Sequence, residues 1–463
     1  MADLPALPLL RHLDDGFLFG ISTAAFATEG GADADGRAPS IWDAVAAVPG
    51  RTVDGSTGAV AADFRARYRD DVDLLQVLGV DAHRFSISWS RVQPTGTGAV
   101  STAGLDFYDR LVDRLLAMHI TPWVTLYHWD LPLAAMLQGG WLERDTAEAA
   151  GDFAAVVADR LADRVDRWTT VSDPLTHMAY GHALGVDAPG LTLLDGAAAV
   201  THHLLLGHAR MREALHGRGQ VGIANTHTAV SPATSSAADR RAAAVFDAYA
   251  NRQFAEPVLS GRYPRLLAPL FDGVPGLVRS GDLTAISAPL DFYGVNYFHP
   301  TTVAAAPDNS TIPFALVDAP GLPVTENDWP VHAESLTSVL TDLQRRYLRL
   351  PPLVVTENGA AYADVAPTDA EEAVQPLPAA DDGRISYLRE HLEAVDAAAA
   401  AGVDVRAWFH RGLTDAWEGA DGFTRHFGLV ALAPGTLDRR PRASFEYLRR
   451  VISEHHRRVA PTG

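Results

Sequence analysis

Two carboxylates occupy positions from which they could act on one bond. Glu357 follows Leu353-Val354-Val355-Thr356, a largely apolar, β-branched run bounded by Pro351-Pro352 before it and Asn358-Gly359 after it. Such a run reads as a strand buried on both faces, with Glu357 at its C-terminal tip. A carboxylate there cannot stay unpaired in an apolar core, so it emerges at the rim of a sheet or barrel, unless it is merely a solvated residue opening a turn. Asp173 stands in the equivalent place, in Ser172-Asp173-Pro174, directly after the strand-like run 168–171. Facing carboxyl groups are what cleavage of a glycosidic bond needs: one protonates the leaving oxygen while the other attacks the anomeric carbon or activates water.

For these residues to meet, the strands that carry them must share a sheet. Strand-like runs recur at 17–22, 82–89, 120–127, 168–171, 221–225, 291–298, 353–355 and 405–409. Helical spacing lies between them, at 62–79, 105–118, 146–164, 197–216, 336–348 and 385–401. Strands alternating with helices in this way meet the requirement for parallel strands joined by crossovers. The expected fold is α/β, a single (β/α)8 TIM barrel forming one catalytic domain over residues 1–463. Acidic and aromatic residues collect just after the strands, on the C-terminal rim where such barrels build their sites.

Composition narrows the function. With 47% apolar and 21% charged residues the chain is globular, and no run approaches the length of a membrane span. A net charge of −19 argues against a nucleic-acid or anionic-membrane surface, so the expected partner is a small-molecule substrate, and nothing in the pattern fixes an oligomeric state. The absence of cysteine removes disulfides, thiolate nucleophiles and sulfur-ligated metals; the absence of lysine removes Schiff-base chemistry and a P-loop. No histidine pair has ligand spacing beside a carboxylate on a helix, so neither metal nor cofactor is expected. Met1-Ala2-Asp3-Leu4-Pro5 has neither the basic nor the apolar region of a secretory signal, which makes the expected location cytoplasmic.

Three motif matches carry no chemistry. Gly217-Arg218-Gly219-Gln220-Val221-Gly222 fits the dinucleotide fingerprint but precedes a strand and opens no helix. Thr325-Glu326-Asn327 repeats the triplet at Glu357 without an apolar run before it, and so reads as loop. Asn309-Ser310-Thr311 has the form of a glycosylation acceptor, which means nothing without secretion.

The segments 17–30, 41–43, 67–89, 105–132, 140–142, 251–264, 291–297, 353–362 and 423–430, taken in order, resemble glycoside hydrolase family 1, the β-glucosidase family of retaining enzymes. The resemblance implies that Glu357 is the nucleophile position and that Asp173 stands at the acid/base position of the family's Asn-Glu-Pro motif. It also implies sugar-binding roles for His128, Trp129 and Glu418, places Arg84 beside the nucleophile, and makes Asn296 a further candidate for substrate binding. For Arg84 and His128 the alternative is structural hydrogen bonding beneath the rim.

The chain departs from the family where the sugar would be held. Ser172-Asp173 replaces Asn-Glu, Ala27 replaces a sugar-gripping Gln, Phe298 replaces the Tyr that hydrogen-bonds the nucleophile, Arg411 replaces a Trp platform and Gly419 the Trp after Glu418. Each lost hydrogen bond or stacking face is worth roughly 1–3 kcal/mol in a desolvated site, so glucose recognition of the family kind is expected to be gone. Withdrawing the acid by one C–C bond, roughly 1.5 Å, would open the gap between the carboxyl groups from the retaining enzymes' 5–5.5 Å to about 6–7.5 Å. Arg411 offers a planar fork for an anion or, alternatively, pairs with Glu418 or Asp415. The expected function is a two-carboxylate glycosidase acting on an atypical glycoside, an anionic one if Arg411 faces the cavity. Two other functions fit the same residues: non-hydrolytic acid/base chemistry on a specialised metabolite, and a binding-only pseudoenzyme.

Overall fold

In the computed structural model residues 5–308, 312–364 and 381–459 are described; the triplet at Asn309 and residues 1–4 of the N-terminal stretch lie outside them. Eight runs form parallel strands: β1 Leu18–Thr23, β2 Ala82–Ser86, β3 Thr121–Tyr127, β4 Arg167–Ser172, β5 Gln220–Thr226, β6 Phe292–Tyr297, β7 Leu353–Asn358 and β8 Val405–Arg411. Each pairs with the next in sequence, and β8 pairs with β1, which closes a (β/α)8 barrel. Helices α1 Phe64–Leu78, α2 Thr102–Ala117, α3 Asp145–Leu161, α4 Ala197–Ala214, α5 Ala237–Asp247, α6 Glu334–Arg346, α7 Asp382–Ala400 and α8 Ala443–Val459 follow the strands in turn. Local chemistry sets several of their ends. Ser101 caps α2 by accepting from the Gly104 N–H, Ser236 caps α5 through Asp239, and α1 stops at Gly79 in the left-handed conformation (φ 82°).

Inside the barrel the side chains are sorted by height. The lower layer is apolar: Ala82, Trp123, Phe292, Val354, Ala407 and Phe409 form one cluster, with Trp123 edge-on to Phe292 at 4.9 Å and to Phe409 at 5.2 Å. Two glycines make room for these rings. A Cβ on Gly20 would lie 2.3 Å from the Phe409 ring, and one on Gly222 would lie 2.4 Å from Phe292. The layer above is polar, with Ser22, Arg84, Ser172, Asn225, Asn296 and Glu357 all buried at the C-terminal ends of their strands. The dry plug below and the open rim above explain why the chemistry faces one way.

The strand ends depart from the sequence expectation. β2 stops at Ser86, and Trp89, expected within the strand, opens a short helix, Trp89–Val92. β7 runs three residues beyond the apolar run 353–355. Glu357 is therefore within the strand, at a register shift against β6 that falls between Val355 and Glu357. Asn358 staples this end, donating to the Tyr297 carbonyl at 2.9 Å and accepting from the Trp408 indole at 3.1 Å. The small sheets Val230–Pro232 with Thr301–Ala305 and Phe314–Val317, and Val430–Leu432 with Arg439–Pro441, were not expected. The dinucleotide-like stretch runs from a turn into β5, and Thr325–Asn327 lies in a loop. Among the described residues no helix is long and apolar enough to cross a membrane.

The loop after β8 is fastened from beneath. Arg442 reaches Asp415 with two bonds, 3.0 and 2.7 Å, and also donates to the Gly428 carbonyl at 2.6 Å, with its own side chain 1% exposed. Replacing Arg442 by Met strands the Asp415 carboxylate in the interior. The expected cost is about 3–5 kcal/mol, read as a lower urea midpoint with unchanged slope; a midpoint equal to the wild type would show that Asp415 is solvated instead.

Candidate active site

Glu357, 6% exposed, is held by hydrogen bonds that come from other strands. Arg84 on β2 donates to Oε1 at 2.8 Å, and the Ser22 hydroxyl on β1 donates to the same oxygen at 3.3 Å. Arg84 is wholly buried and spans the barrel mouth: its Nη1 also reaches Ser22 at 2.8 Å and its Nη2 reaches Ser172 at 2.7 Å. One guanidinium thus ties the strand of Glu357 to the residue before Asp173. The two readings of Arg84 merge, since the bonds beneath the rim are the ones that orient Glu357. Ser22 was not singled out in the sequence; its position at the end of β1 was the available signal.

His128 follows β3 and lies 3.9 Å from Glu357 Oε1 through Nε2, while its Nδ1 is buried without a hydrogen-bond partner. Asn296 is in register with Glu357 across β6 and β7, accepts from the Thr356 hydroxyl at 2.7 Å, and keeps a buried, unpartnered Nδ2. Both leave capacity for a ligand beside Glu357. Trp129 does something different from gripping a sugar by its N–H: the indole donates to the carbonyls of Ser172 and Asp173, both at 3.0 Å, and braces the backbone that presents the second carboxyl.

Asp173, 5% exposed, sits just past β4 in the left-handed region (φ 47°), capping the turn Pro174–Thr176 through a 3.4 Å bond from the Thr176 N–H. Asp tolerates this conformation better than most residues. A π-helix, His177–Ala183, follows at once, a rare form that tends to occur at functional sites.

The electrostatics separate the two carboxyls. Burial pushes Asp173 up, and the Glu357 charge adds to it; the hydroxyls of Thr226 and Thr176 offset only part, so it titrates at about 6. For Glu357 burial also acts upward, but His128, Arg84 and Arg411 together outweigh it and hold it below the ordinary glutamate value. His128 is itself pulled down to about 4 by burial and is neutral near pH 7, so the lasting cations are the two guanidiniums. A pair displaced in opposite directions can hold one proton and one charge at the same pH, the requirement for a donor beside a nucleophile or base.

Four of the residues that depart from the family pattern, Ala27, Phe298, Arg411 and Gly419, meet around the loop after β8, whereas Ser172 and Asp173 end β4 across the barrel. Arg411, the last residue of β8, forms an ion pair with Glu418 and lies over the rings of Phe427 (4.3 Å) and Phe298 (5.3 Å). Asp415 is not its partner, because Arg442 takes that carboxylate. This gives Arg411 Glu418 as its partner, so the anionic-substrate expectation has no free guanidinium to support it. Phe298 lies just beyond β6, packed against Trp329 at 5.5 Å. Ala27, on the short helix after β1, accepts from the Trp417 N–H at 3.0 Å and so touches the loop of Glu418. Gly419 has φ +62°, and a Cβ there would lie 2.9 Å from Trp42, so the ring of Trp42 occupies the space of any side chain at 419.

The chain and its fold have counterparts among known proteins. The profile of glycosyl hydrolase family 1 matches residues 10–457. The chain belongs to that family. It is 41% identical to the bifunctional β-D-glucosidase/β-D-fucosidase of Bifidobacterium breve, over 96% of this chain and 98% of that protein. It is 39% identical to a β-glucosidase of Agrobacterium sp., over 89% of each. Among solved structures, the family 1 β-glucosidase of Thermotoga maritima superposes with a TM-score of 0.89 at 34% identity, covering 95% of this chain and 97% of that one. The virulence factor SghA of Agrobacterium tumefaciens, solved with its substrate analogue salicin, gives 0.91 at 36% identity, covering 97% and 99%. The chain is accordingly a family 1 glycoside hydrolase by descent and by fold.

Proposed function

We propose that this family 1 enzyme cleaves an atypical glycoside with Glu357 as nucleophile and Asp173 as acid/base, and is weak or inactive on ordinary β-glucosides. Asp173 gives its proton to the glycosidic oxygen as Glu357 attacks the anomeric carbon, forming a glycosyl ester and releasing the aglycone. Water then attacks the ester while Asp173 takes its proton, restoring both groups. His128 and Asn296, with their free buried nitrogens, hold the glycone. The observation that carries the reading is the placing of two buried carboxyls at one rim, with Arg84 joining Glu357 at 2.8 Å to Ser172 at 2.7 Å and Trp129 bracing the Asp173 backbone at 3.0 Å; their opposite displacement supports it.

The pH profile tests it. Asp173 must start protonated, a form lost as pH rises through about 6. Glu357 must start ionised, a form kept down to below the ordinary glutamate value. For any glycoside that is turned over, kcat/KM is expected to be bell-shaped with its alkaline limb near 6. In Asp173→Asn that limb disappears. An alkaline limb unchanged in this variant removes Asp173 from the acid role.

The Arg411–Glu418 pair favours one other reading, non-hydrolytic acid/base chemistry, because it ties up a carboxylate otherwise available to a sugar. A product that forms only when Glu357 is present, with no sugar released, would decide for it.

A further inference from the structure

Two residues of the site hold a backbone conformation that side chains other than glycine avoid. Asp173 has φ 47°, and Trp129, whose indole N–H reaches the carbonyls of Ser172 and Asp173, has φ 73°. Asp is at little cost there, but a bulky aromatic residue is an outlier, and such a conformation persists only where its surroundings impose it. The two carbonyls belong to the peptides on either side of the Asp173 Cα. One indole therefore fixes both backbone torsions of Asp173, and with them the point from which its carboxyl is presented.

The group against the indole is His177. Its imidazole is buried and lies nearly parallel to the indole, with 12° between the planes and 6.4 Å between the centroids. Its main chain is tied into the same turn: the His177 N–H donates to the Asp173 carbonyl at 3.4 Å, and the His177 carbonyl accepts from His182 Nδ1 at 3.1 Å.

The tautomer of His177 follows from counting hydrogens. The Trp141 indole N–H donates to the Tyr127 hydroxyl at 2.9 Å, and that hydroxyl lies 3.0 Å from His177 Nε2. Tyr127 is wholly buried, and among the described residues its hydrogen has no other acceptor. With a hydrogen on Nε2, the Tyr127 hydrogen and the Nδ1 lone pair would both be stranded; with the hydrogen on Nδ1, Nε2 accepts and only the Nδ1–H lacks a partner among the described residues. Burial also pushes His177 well below the ordinary histidine value, and His182, edge-on at 4.8 Å, and His128 act in the same direction, so the ring is neutral.

We propose that His177 is a positioning residue for the acid: anchored through Nε2 to Tyr127, its ring holds the Trp129 indole in place, and the indole holds Asp173 in the left-handed conformation from which it presents its carboxyl at the rim. The proposal deepens the glycosidase reading and rests on it for its kinetic arm alone.

Nitrogen NMR of histidine-labelled protein tests the anchor, with His177 assigned by the loss of its signals in His177→Ala. Near neutral pH the wild type is expected to show a protonated Nδ1 and an unprotonated Nε2; an Nε2–H tautomer or an imidazolium overturns the proposal. Hydrogen exchange at the Trp129 indole N–H, assigned from Trp129→Phe, tests the next link. It is expected to quicken by roughly 10-fold or more in His177→Ala and in Tyr127→Phe, and exchange at the wild-type rate in both overturns the proposal. For glycosides that are turned over, both variants are expected to lose about 10²-fold in kcat/KM on an alkyl glycoside, whose leaving oxygen needs a proton, and far less on a dinitrophenyl glycoside, whose aglycone departs without one. A packing role lowers both alike, so equal losses also overturn it. If His177→Ala does not fold, Tyr127→Phe, which keeps the ring and loses only the anchor, carries the exchange and kinetic arms. If no glycoside is turned over, the glycosidase reading falls, while the nitrogen spectrum and the indole exchange still decide the role of His177.

Discussion

Glu357→Gln is expected to abolish glycoside turnover, by about 10³-fold or more on whichever glycoside the wild type cleaves best. The amide cannot attack an anomeric carbon, and no neighbour can stand in for it. Asp173 is displaced toward its protonated form, and Glu418 is pushed up by burial and tied to Arg411. The same change disturbs the fold. Arg84 is wholly buried and has Glu357 as its close carboxylate partner, so neutralising that partner leaves a guanidinium in the barrel with only hydroxyls and a carbonyl. A stability loss on the order of 3 kcal/mol follows, at the low end for such a deletion because the Gln carbonyl can still accept a bond. Steady-state assays and denaturant melts on one preparation read both effects. Wild-type turnover in this variant would remove Glu357 from the mechanism.

Hydrolysis of an aryl β-glucoside by the wild type is expected to fall well below the ~1–10³ s⁻¹ usual for enzymes, and Asp173→Glu alone is not expected to restore it. Lengthening the acid changes one contact, whereas Ala27, Ser172, Phe298, Arg411 and Gly419 each still withhold one. The structure adds reasons why single reversals fail. The Ser172 hydroxyl is engaged by Arg84 at 2.7 Å, Glu418 is paired with Arg411, and Trp42 fills the space at Gly419. The shorter acid arm is expected to leave the carboxyl groups about 6–7.5 Å apart in a crystal structure, wider than the 5–5.5 Å of retaining enzymes, so that Asp173 reaches the glycosidic oxygen under strain and turnover by the two-step route is slow. Glucoside turnover within the usual range would show that these replacements leave glucose recognition intact.

The barrel was legible because its signal is local and repeated. Buried parallel strands need apolar, β-branched runs, the crossovers need helical spacing, and both recur along the chain in the required order. The strand ends were not legible, since β7 continues past its apolar run through polar Thr356, Glu357 and Asn358, whose partners come from β1, β2, β6 and β8. No window of sequence contains those partners. The helix α5 was passed over for a related reason: its buried face, Ala242, Ala243 and Phe246, is too short an apolar stripe to stand out.

For the site, the residue types at Asp173 and Glu357 determined which chemistry was available, since carboxyls after two barrel strands must meet at one rim. Their protonation was not determined there. By intrinsic acidity Asp is the stronger acid, by about 0.4 pH units, and so the poorer proton donor near neutrality unless burial and a neighbouring carboxylate raise it. The folded chain reverses the order, because both groups are buried but Glu357 has His128 at 3.9 Å and Arg84 at 2.8 Å, while Asp173 has hydroxyls and the charge of Glu357. The partner of Arg411 was likewise undecidable from spacing, with Glu418 and Asp415 both a few residues away. Arg442, in the turn before the last helix, took Asp415 and left Glu418 to Arg411. The sequence determined the set of charges; which charge each one faces depends on contacts between residues tens to hundreds of positions apart, and only the closed barrel brings those together.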